Sequence, residues 1–253
     1  MSSPLIQYVL KAAIRDKLII AMLVLIVLTT SMSIFMASSA ITEQDQFLAV
    51  YASGSLRIVA VLGLVVFAAF FVRRSFDAKD VEFLLSRPIS RIQFVLSYAC
   101  AFSILAIIIS LACAIALLCM SPNLLSPAFI LWCASLIVET IIMVNVTFAF
   151  AMMLSSAATI VMAVLAFYVL SRMMGQILGI MESGTAGPVM DGVQMIMNIV
   201  STITPRLDLM GQTSWLVYGL GPDVNLAFIA IQGAIFLCLI LIVALLDLIL
   251  RQF

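Results

Sequence analysis

Apolar residues fall into six long runs along the chain, at about 18–39, 56–72, 94–119, 128–152, 158–180 and 225–248. An α-helix needs about 20 apolar residues to cross the hydrocarbon core of a bilayer, so each run reads as a membrane span. The short alternating segments of a transmembrane barrel are not what this pattern offers. Ahead of the first run, residues 4–16 place Leu5, Ile6, Val9, Leu10, Ala13 and Ile14 at helical spacing, with Gln7, Lys11, Arg15 and Asp16 elsewhere. A short amphipathic helix with basic residues lies in the interface plane, so residues 1–17 are expected to form an interfacial helix. A polar loop with Glu43, Asp45 and Gln46 separates the first two spans. The prolines and asparagine of SPNLLSP mark a turn after the third, and Ser155-Ser156-Ala157 links the fourth to the fifth. Between the fifth and sixth, the outer loop 181–223 carries Val193, Ile196, Val200 and Ile203, the pattern of a short amphipathic helix ending at Pro205. The predicted fold class is all-α, a polytopic membrane protein of six transmembrane helices.

Composition supports that reading and narrows the chemistry. Hydrophobic residues make up 65% of the chain and charged residues 9%, with a mean hydropathy of +1.30. Twelve basic and twelve acidic residues cancel, which leaves no electrostatic footprint for nucleic acid. The first run is long and follows a charged helical segment, so no cleavable signal peptide is expected. Cys100, Cys113, Cys119, Cys133 and Cys238 lie in or beside apolar runs without a CxxC pair and read as small packing residues. The chain has no histidine, the commonest metal ligand and general base. Neither a catalytic residue nor a metal site is therefore expected.

Orientation follows the placement of lysine and arginine. Lys11, Arg15, Lys17, Arg73, Arg74, Lys79, Arg87, Arg91 and Arg251 fall on one side of a six-span layout. Arg57, Arg172 and Arg206 fall on the other. Nine against three puts both termini in the cytoplasm. Five of the nine lie in the one long charged island, RRSFDAKDVEFLLSRPISRIQF, between the second and third spans. The residue before a proline is pushed out of the α region, so a first helix should stop near Arg87. Ser90 can then cap the helix that becomes the third span. On physics alone, the island reads either as an ordinary positive-inside loop or as a docking stub with Phe83, Leu84 and Leu85 as apolar knobs.

LLSRPISR, preceded by an acidic-basic stretch and followed directly by a span, resembles the loop between the second and third spans of type-2 ABC-transporter permeases. The similarity is to the group associated with multi-copper enzyme maturation, which includes the permease of the nitrous-oxide reductase maturation system. A second segment, Thr204-Pro205-Arg206-Leu207-Asp208-Leu209 followed by Trp215-Leu216-Val217-Tyr218-Gly219, is similar to a Pro-Asn-hydrophobic-acidic segment and later Tyr-Gly before the last span of that group. Arg206 stands where asparagine is usual. The resemblance covers essentially the whole chain, 1–253, as one type-2 transmembrane domain.

That resemblance implies a permease subunit in a bacterial cytoplasmic (inner) membrane, probed by partners on both faces. The cytoplasmic loop 73–93 would hold a coupling helix docked on a separate ATPase dimer through Asp80, Glu82, Phe83, Leu84, Leu85, Arg87, Pro88 and Arg91. A second copy or a similar permease would complete the translocation path. Membrane lipids surround it, and a periplasmic accessory protein is a further implied partner. The chain lacks a GxxxxGK[ST] phosphate loop; no cofactor is expected in it, and ATP with magnesium would sit in the partner. Export is the expected direction. The rival reading is a membrane scaffold or assembly factor that recruits a soluble partner without transporting anything.

Two charged groups, Glu139 and Arg172, lie deep inside spans. Intramembrane carboxylates are costly and face a partner or a cavity. Glu139 on the fourth span and Arg172 on the antiparallel fifth fall roughly 16 and 12 Å from the same side, at about 1.5 Å per residue. They read as a pair that fixes helix packing, with a substrate- or proton-linked role for Glu139 as the alternative. Asp247 sits near the inner end of the last span. The sixteen methionines include Met152-Met153, Met173-Met174, Met181, Met190, Met195 and Met197. Thioethers can bind Cu(I), but these positions have no fixed ligand spacing and read as packing residues. Gly175 and Gly179 form a GxxxG, which signals either a helix contact or flexibility near a helix end.

Overall fold

The computed structural model describes residues 3–40, 43–78, 90–121, 125–183, 197, 200–201, 204–219 and 226–250. Regular structure among them is helical: α1 (Ser3–Arg15), α2 (Leu18–Ser38), α3 (Gln44–Asp77), α4 (Arg91–Met120), α5 (Pro127–Met153), α6 (Ala157–Ser183), a 3-10 turn at Leu207–Leu209, α7 (Ser214–Tyr218) and α8 (Leu226–Leu250). Six of them, α2 to α6 and α8, are long and apolar enough to cross a membrane. The chain is accordingly described as a multi-pass membrane protein. Of the amphipathic helix expected around 193–203, only Val200 among the four spacing residues falls within the described residues.

Polar residues decide which helices sit inside. α5 carries Ser135, Glu139, Thr140, Asn145 and Thr147 in an otherwise apolar sequence, and all five are buried. Such groups turn away from lipid, and α5 becomes the central helix, packed against α3, α4, α6, α7 and α8. Its hydrophobic window is 61% buried, against 22% for each of α2, α6 and α8 at the rim. On α2, Ile20, Leu23, Val24, Val27, Leu28 and Phe35 are exposed, as a lipid-facing surface allows. Hydroxyls stitch α4 to α5. Ser110 Oγ and Thr140 Oγ1 are 2.8 Å apart, and Asn145 Nδ2 donates to Ser103 Oγ at 3.1 Å.

The long helices alternate in direction, which gives the bundle two ends. At one end lie Arg15, Lys17, Arg73, Arg74 and Arg91, and this is called the basic end below. Its interior is aromatic: Phe71, Tyr98, Phe102 and Phe148 meet at centroid distances of 5.8–6.4 Å across α3, α4 and α5. α1 buries Leu5, Val9, Ala12 and Ala13 against α4 and α2, while Ile14 is exposed. Lys17 takes a left-handed conformation, φ 57°, at the corner between α1 and α2. Arg74 of α3 pairs with Asp16 beside that corner.

The second span departs from the hydropathy boundary. α3 is continuous from Gln44, so helix extends well before residue 56 and passes through Arg57. The drop in hydropathy at Gly54, Ser55 and Arg57 looks like a span edge. It is not one, because the Arg57 charge is matched inside the protein rather than in water. Gly63, on the same helix, faces Met22 so closely that a Cβ would collide with the Met22 sulfur, which sets the close approach of α2 and α3.

At the start of α4, Ser90 Oγ accepts from Gln93 N at 3.2 Å while Gln93 Oε1 accepts from Ser90 N at 3.4 Å. This is a reciprocal capping box. Ser126 caps α5 in the same sense, ahead of Pro127. Ser90→Ala is expected to lower unfolding stability by about 1 kcal/mol, and Ser90→Gly by only a few tenths. Thermal unfolding in mild detergent measures both; an alanine variant as stable as wild type would remove the cap from this account.

Candidate functional site

Near the middle of the bundle, slightly on the side away from the basic end, α3, α5 and α6 bring three charges together. Arg57 is 13 residues into α3, Glu139 is 12 residues into α5, and Arg172 comes from the later half of α6. Glu139 has no exposed side-chain surface, Arg57 has 4% and Arg172 has 26%. Glu139 Oε2 lies 3.4 Å from Arg57 Nε and 3.7 Å from Arg172 Nη1. Its other oxygen accepts a hydrogen bond from Tyr168 Oη at 2.9 Å. Tyr168 and Arg172 are four apart on α6 and so share one face of the helix. Neither Glu139 Oε2 nor Arg57 Nε makes a hydrogen bond among the described residues. Their attraction is a close ion contact, and the directed bonds of both arginines go elsewhere.

They go to backbone. Arg172 Nη1 donates to the carbonyls of Leu207, at 2.6 Å, and Met210, at 2.7 Å. Arg57 Nη2 donates to the carbonyl of Gly211. The guanidinium of Arg57 also stands over the ring of Trp132, 5.8 Å from its centroid, as cation–π attraction favours. The segment 204–219 is thereby latched onto the transmembrane helices through its backbone carbonyls, that of Leu207 also accepting from Met210 N to close the 3-10 turn. Leu207, Met210 and Trp215 are buried beneath it. Gly211 is left-handed, φ +53°, and a Cβ there would press on the Arg57 guanidinium and Ser135 Oγ. Glycine satisfies both demands at once.

Beside the latch an open cleft of about 450 Å³ is lined by Arg172, Gln176, Asp208, Gln212, Thr213 and Ser214. Asp208 is engaged by Arg206, with Arg206 Nη2 2.9 Å from Asp208 Oδ2. The Asp208 carboxylate is tucked against Gly175, where a Cβ would overlap it, while a Cβ on Gly179 would meet nothing within 4 Å. The two glycines of the GxxxG thus do different things. Gly175 makes room for the 206–208 turn, and Gly179 makes no close contact with the described residues.

Of the residues read from the sequence, Asp80, Glu82, Phe83, Leu84, Leu85, Arg87 and Pro88 lie outside the described residues. Arg91 opens α4, where its Nη1 donates to the carbonyls of Leu248, at 2.7 Å, and Ile249, at 2.9 Å. It closes the last turn of α8, whose carbonyls lack helical partners. The methionine pairs do not converge: Met152 and Met174 are in the core, while Met153 and Met173 are exposed by 54% and 45%. Among the described residues no group of three or more His, Cys, Asp or Glu side chains is placed to hold a metal. Arg57 is the residue that sequence reading placed at the edge of the second span and counted only among the basic residues of the outer side. The signal for it was a buried carboxylate with two candidate basic partners at similar depth.

Two variants separate the roles in the cluster. Glu139→Gln leaves two guanidinium groups facing one another without a counter-charge and is expected to cost about 3–5 kcal/mol. Arg172→Gln leaves a one-to-one Arg57–Glu139 pair and is expected to cost less. Chemical unfolding in detergent measures both, and an Arg172 loss equal to the Glu139 loss would contradict this ordering. Gly211→Ala is expected to loosen residues 204–219 with the helices intact, read as faster amide exchange in that segment alone.

No protein-family model matches this chain and no curated protein matches it, so the family reading rests on the motifs in the sequence.

Proposed function

We propose that this chain is the membrane-spanning permease subunit of an ABC transporter, driven by a separate ATPase and working as an exporter. The observation that carries the reading is the charged island between α3 and α4, which joins two spans at the end of the bundle with the basic excess. In this reading the basic end faces the cytoplasm of a bacterial inner membrane, by the positive-inside rule. Both termini lie there, α1 rests at the interface, and the island forms the coupling helix. Phe83, Leu84 and Leu85 seat in the ATPase, with Asp80, Glu82 and Arg87 fixing the register, while Arg91 holds the end of α8. A second copy or a similar permease supplies the other wall of the path.

The geometry supports a route from that loop to the outer face. α3 runs unbroken from the island to Arg57, a span of about 30 Å at 1.5 Å per residue. A helix of that kind moves as a rod. A shift of 1–2 Å along its axis, the size of many interface-driven helix movements, would take Arg57 off the Gly211 carbonyl and unfasten one side of the latch. Glu139 would then keep Arg172 as its counter-charge, so the cluster tolerates both positions. ATPase closure at the cytoplasmic loop thereby acts on the segment that covers the outer end.

Purification of the tagged protein from native membranes in mild detergent, with partners identified by mass spectrometry, tests the proposal. An ATPase subunit is expected to co-purify and to be lost on charge reversal at Glu82 and Arg87. An otherwise intact complex without any nucleotide-binding partner would overturn it in favour of a recruiting scaffold.

A further inference from the structure

The cluster has an unbalanced charge, and the imbalance opens onto the cleft. Arg57 and Arg172 share one carboxylate, Glu139. The nearby Asp208 carboxylate is engaged by Arg206, so it adds no net negative charge. Among the described residues the five groups sum to one positive charge. The three backbone carbonyls that accept from the arginines are dipoles and leave that charge in place. A net charge held between membrane helices is costly unless an opposite charge or water reaches it. Arg57 and Glu139 are sealed in, whereas Arg172 is a quarter exposed and lines the cleft.

The rest of the lining has the chemistry to complete an anion site. Thr213 and Ser214 bring hydroxyl donors, and Gln176 and Gln212 bring amide donors, one Gln212 N–H being directed at the Asp208 carbonyl; Met173, Gly175 and the Arg206-paired Asp208 complete the lining. A guanidinium with neutral donors around it is the arrangement that recognises carboxylate or phosphate oxygens. We propose that the cleft beside Arg172 binds a small anionic group, of the carboxylate or phosphate class, from the side of the bundle opposite the basic end. The anion balances the second guanidinium and, through Arg172, bears on the carbonyls of Leu207 and Met210. Occupancy therefore couples to the fastening of the 204–219 segment. This inference stands apart from the ATPase partner and holds for a scaffold equally.

The same anionic chemistry can come from solution or from a lipid headgroup, and the test has an arm for each. The chain has two tryptophans. Trp132 lies under Arg57, and Trp215 directly follows Ser214, so intrinsic fluorescence reports on both sides of the site. Purified full-length protein in neutral detergent is titrated with sodium acetate and with sodium phosphate, with sodium chloride holding the ionic strength fixed. In the second arm, nanodiscs of phosphatidylcholine are compared with nanodiscs containing phosphatidylglycerol. A saturable response to acetate or phosphate supports the proposal and names a soluble anion. A response confined to phosphatidylglycerol supports it and names a headgroup. Arg172→Gln is expected to abolish the response. Gln176→Leu with Thr213→Val, which leaves the arginine cluster whole, is expected to weaken half-saturation about tenfold or more, as for lost hydrogen bonds to a charged group. No saturable response in either arm would overturn the proposal, as would a response unchanged in the Gln176→Leu, Thr213→Val protein.

Discussion

A carboxylate without solvent contact, placed between membrane helices, organises this molecule. Ionised Glu139 in an apolar interior would cost several kcal/mol without compensation. Nothing on α5 compensates it: the opposite charges come from α3 and α6, and the hydrogen bond comes from Tyr168 on α6. The arginines that approach carry more donors than one carboxylate can accept. Their remaining donors must also find acceptors, and the carbonyls of Leu207, Met210 and Gly211 provide them. One acidic residue thus requires three helices and one connecting segment to meet.

Such a constraint matters more in a membrane than in water. Lipid tails are as apolar as leucine, so apolar burial alone does not tell helices which neighbours to choose. Close packing and polar contacts make the choice. The two halves of this bundle use different versions of that answer. Near the basic end the choice is shape: the aromatic rings of α3, α4 and α5 interlock, and small residues such as Ala68 and Ala69 are fully buried along α3. In the other half the choice is charge. Packed rings resist sliding only through shape, whereas an ion cluster with two cations and one anion retains a pair when one cation leaves. The half that holds the charges is the half suited to two arrangements.

The helices were legible in the sequence because apolar run length is a direct physical requirement for spanning a bilayer. Five of the six runs end within about three residues of the observed helices. α3 was read short because Arg57 looks like the edge of a span when its partner is not in view. A local hydropathy measure registers the charge and misses the carboxylate 82 residues away that neutralises it. The depth argument placed Glu139 and Arg172 near each other, since both positions count inward from a common side. It did not reach Tyr168 or the three carbonyls. A tyrosine in a span has many uses, and a carbonyl acceptor has no side-chain signature at all. Gly211 and Pro205 mark where the chain turns, but only the fold says which guanidinium the turn serves.

Recognition through backbone has a consequence for how the latch can work. Arg57 and Arg172 bind oxygens that every residue carries, so the contact depends on the path of the chain from 207 to 211 rather than on its side chains. The sharpest side-chain demand is at Gly211, where a left-handed turn and the nearness of Arg57 exclude a Cβ. A change in the path is therefore enough to break the contact, and it moves the buried Leu207 and Met210 side chains with it. Two inputs reach that path from different directions. α3 delivers Arg57 from the charged island, and the cleft delivers charge to Arg172 from the opposite face. Glu139 lies between them and is shared, so strengthening its contact with one arginine weakens its hold on the other. The energetic link between the two ends of the bundle thus reduces to the division of one carboxylate between two guanidinium groups.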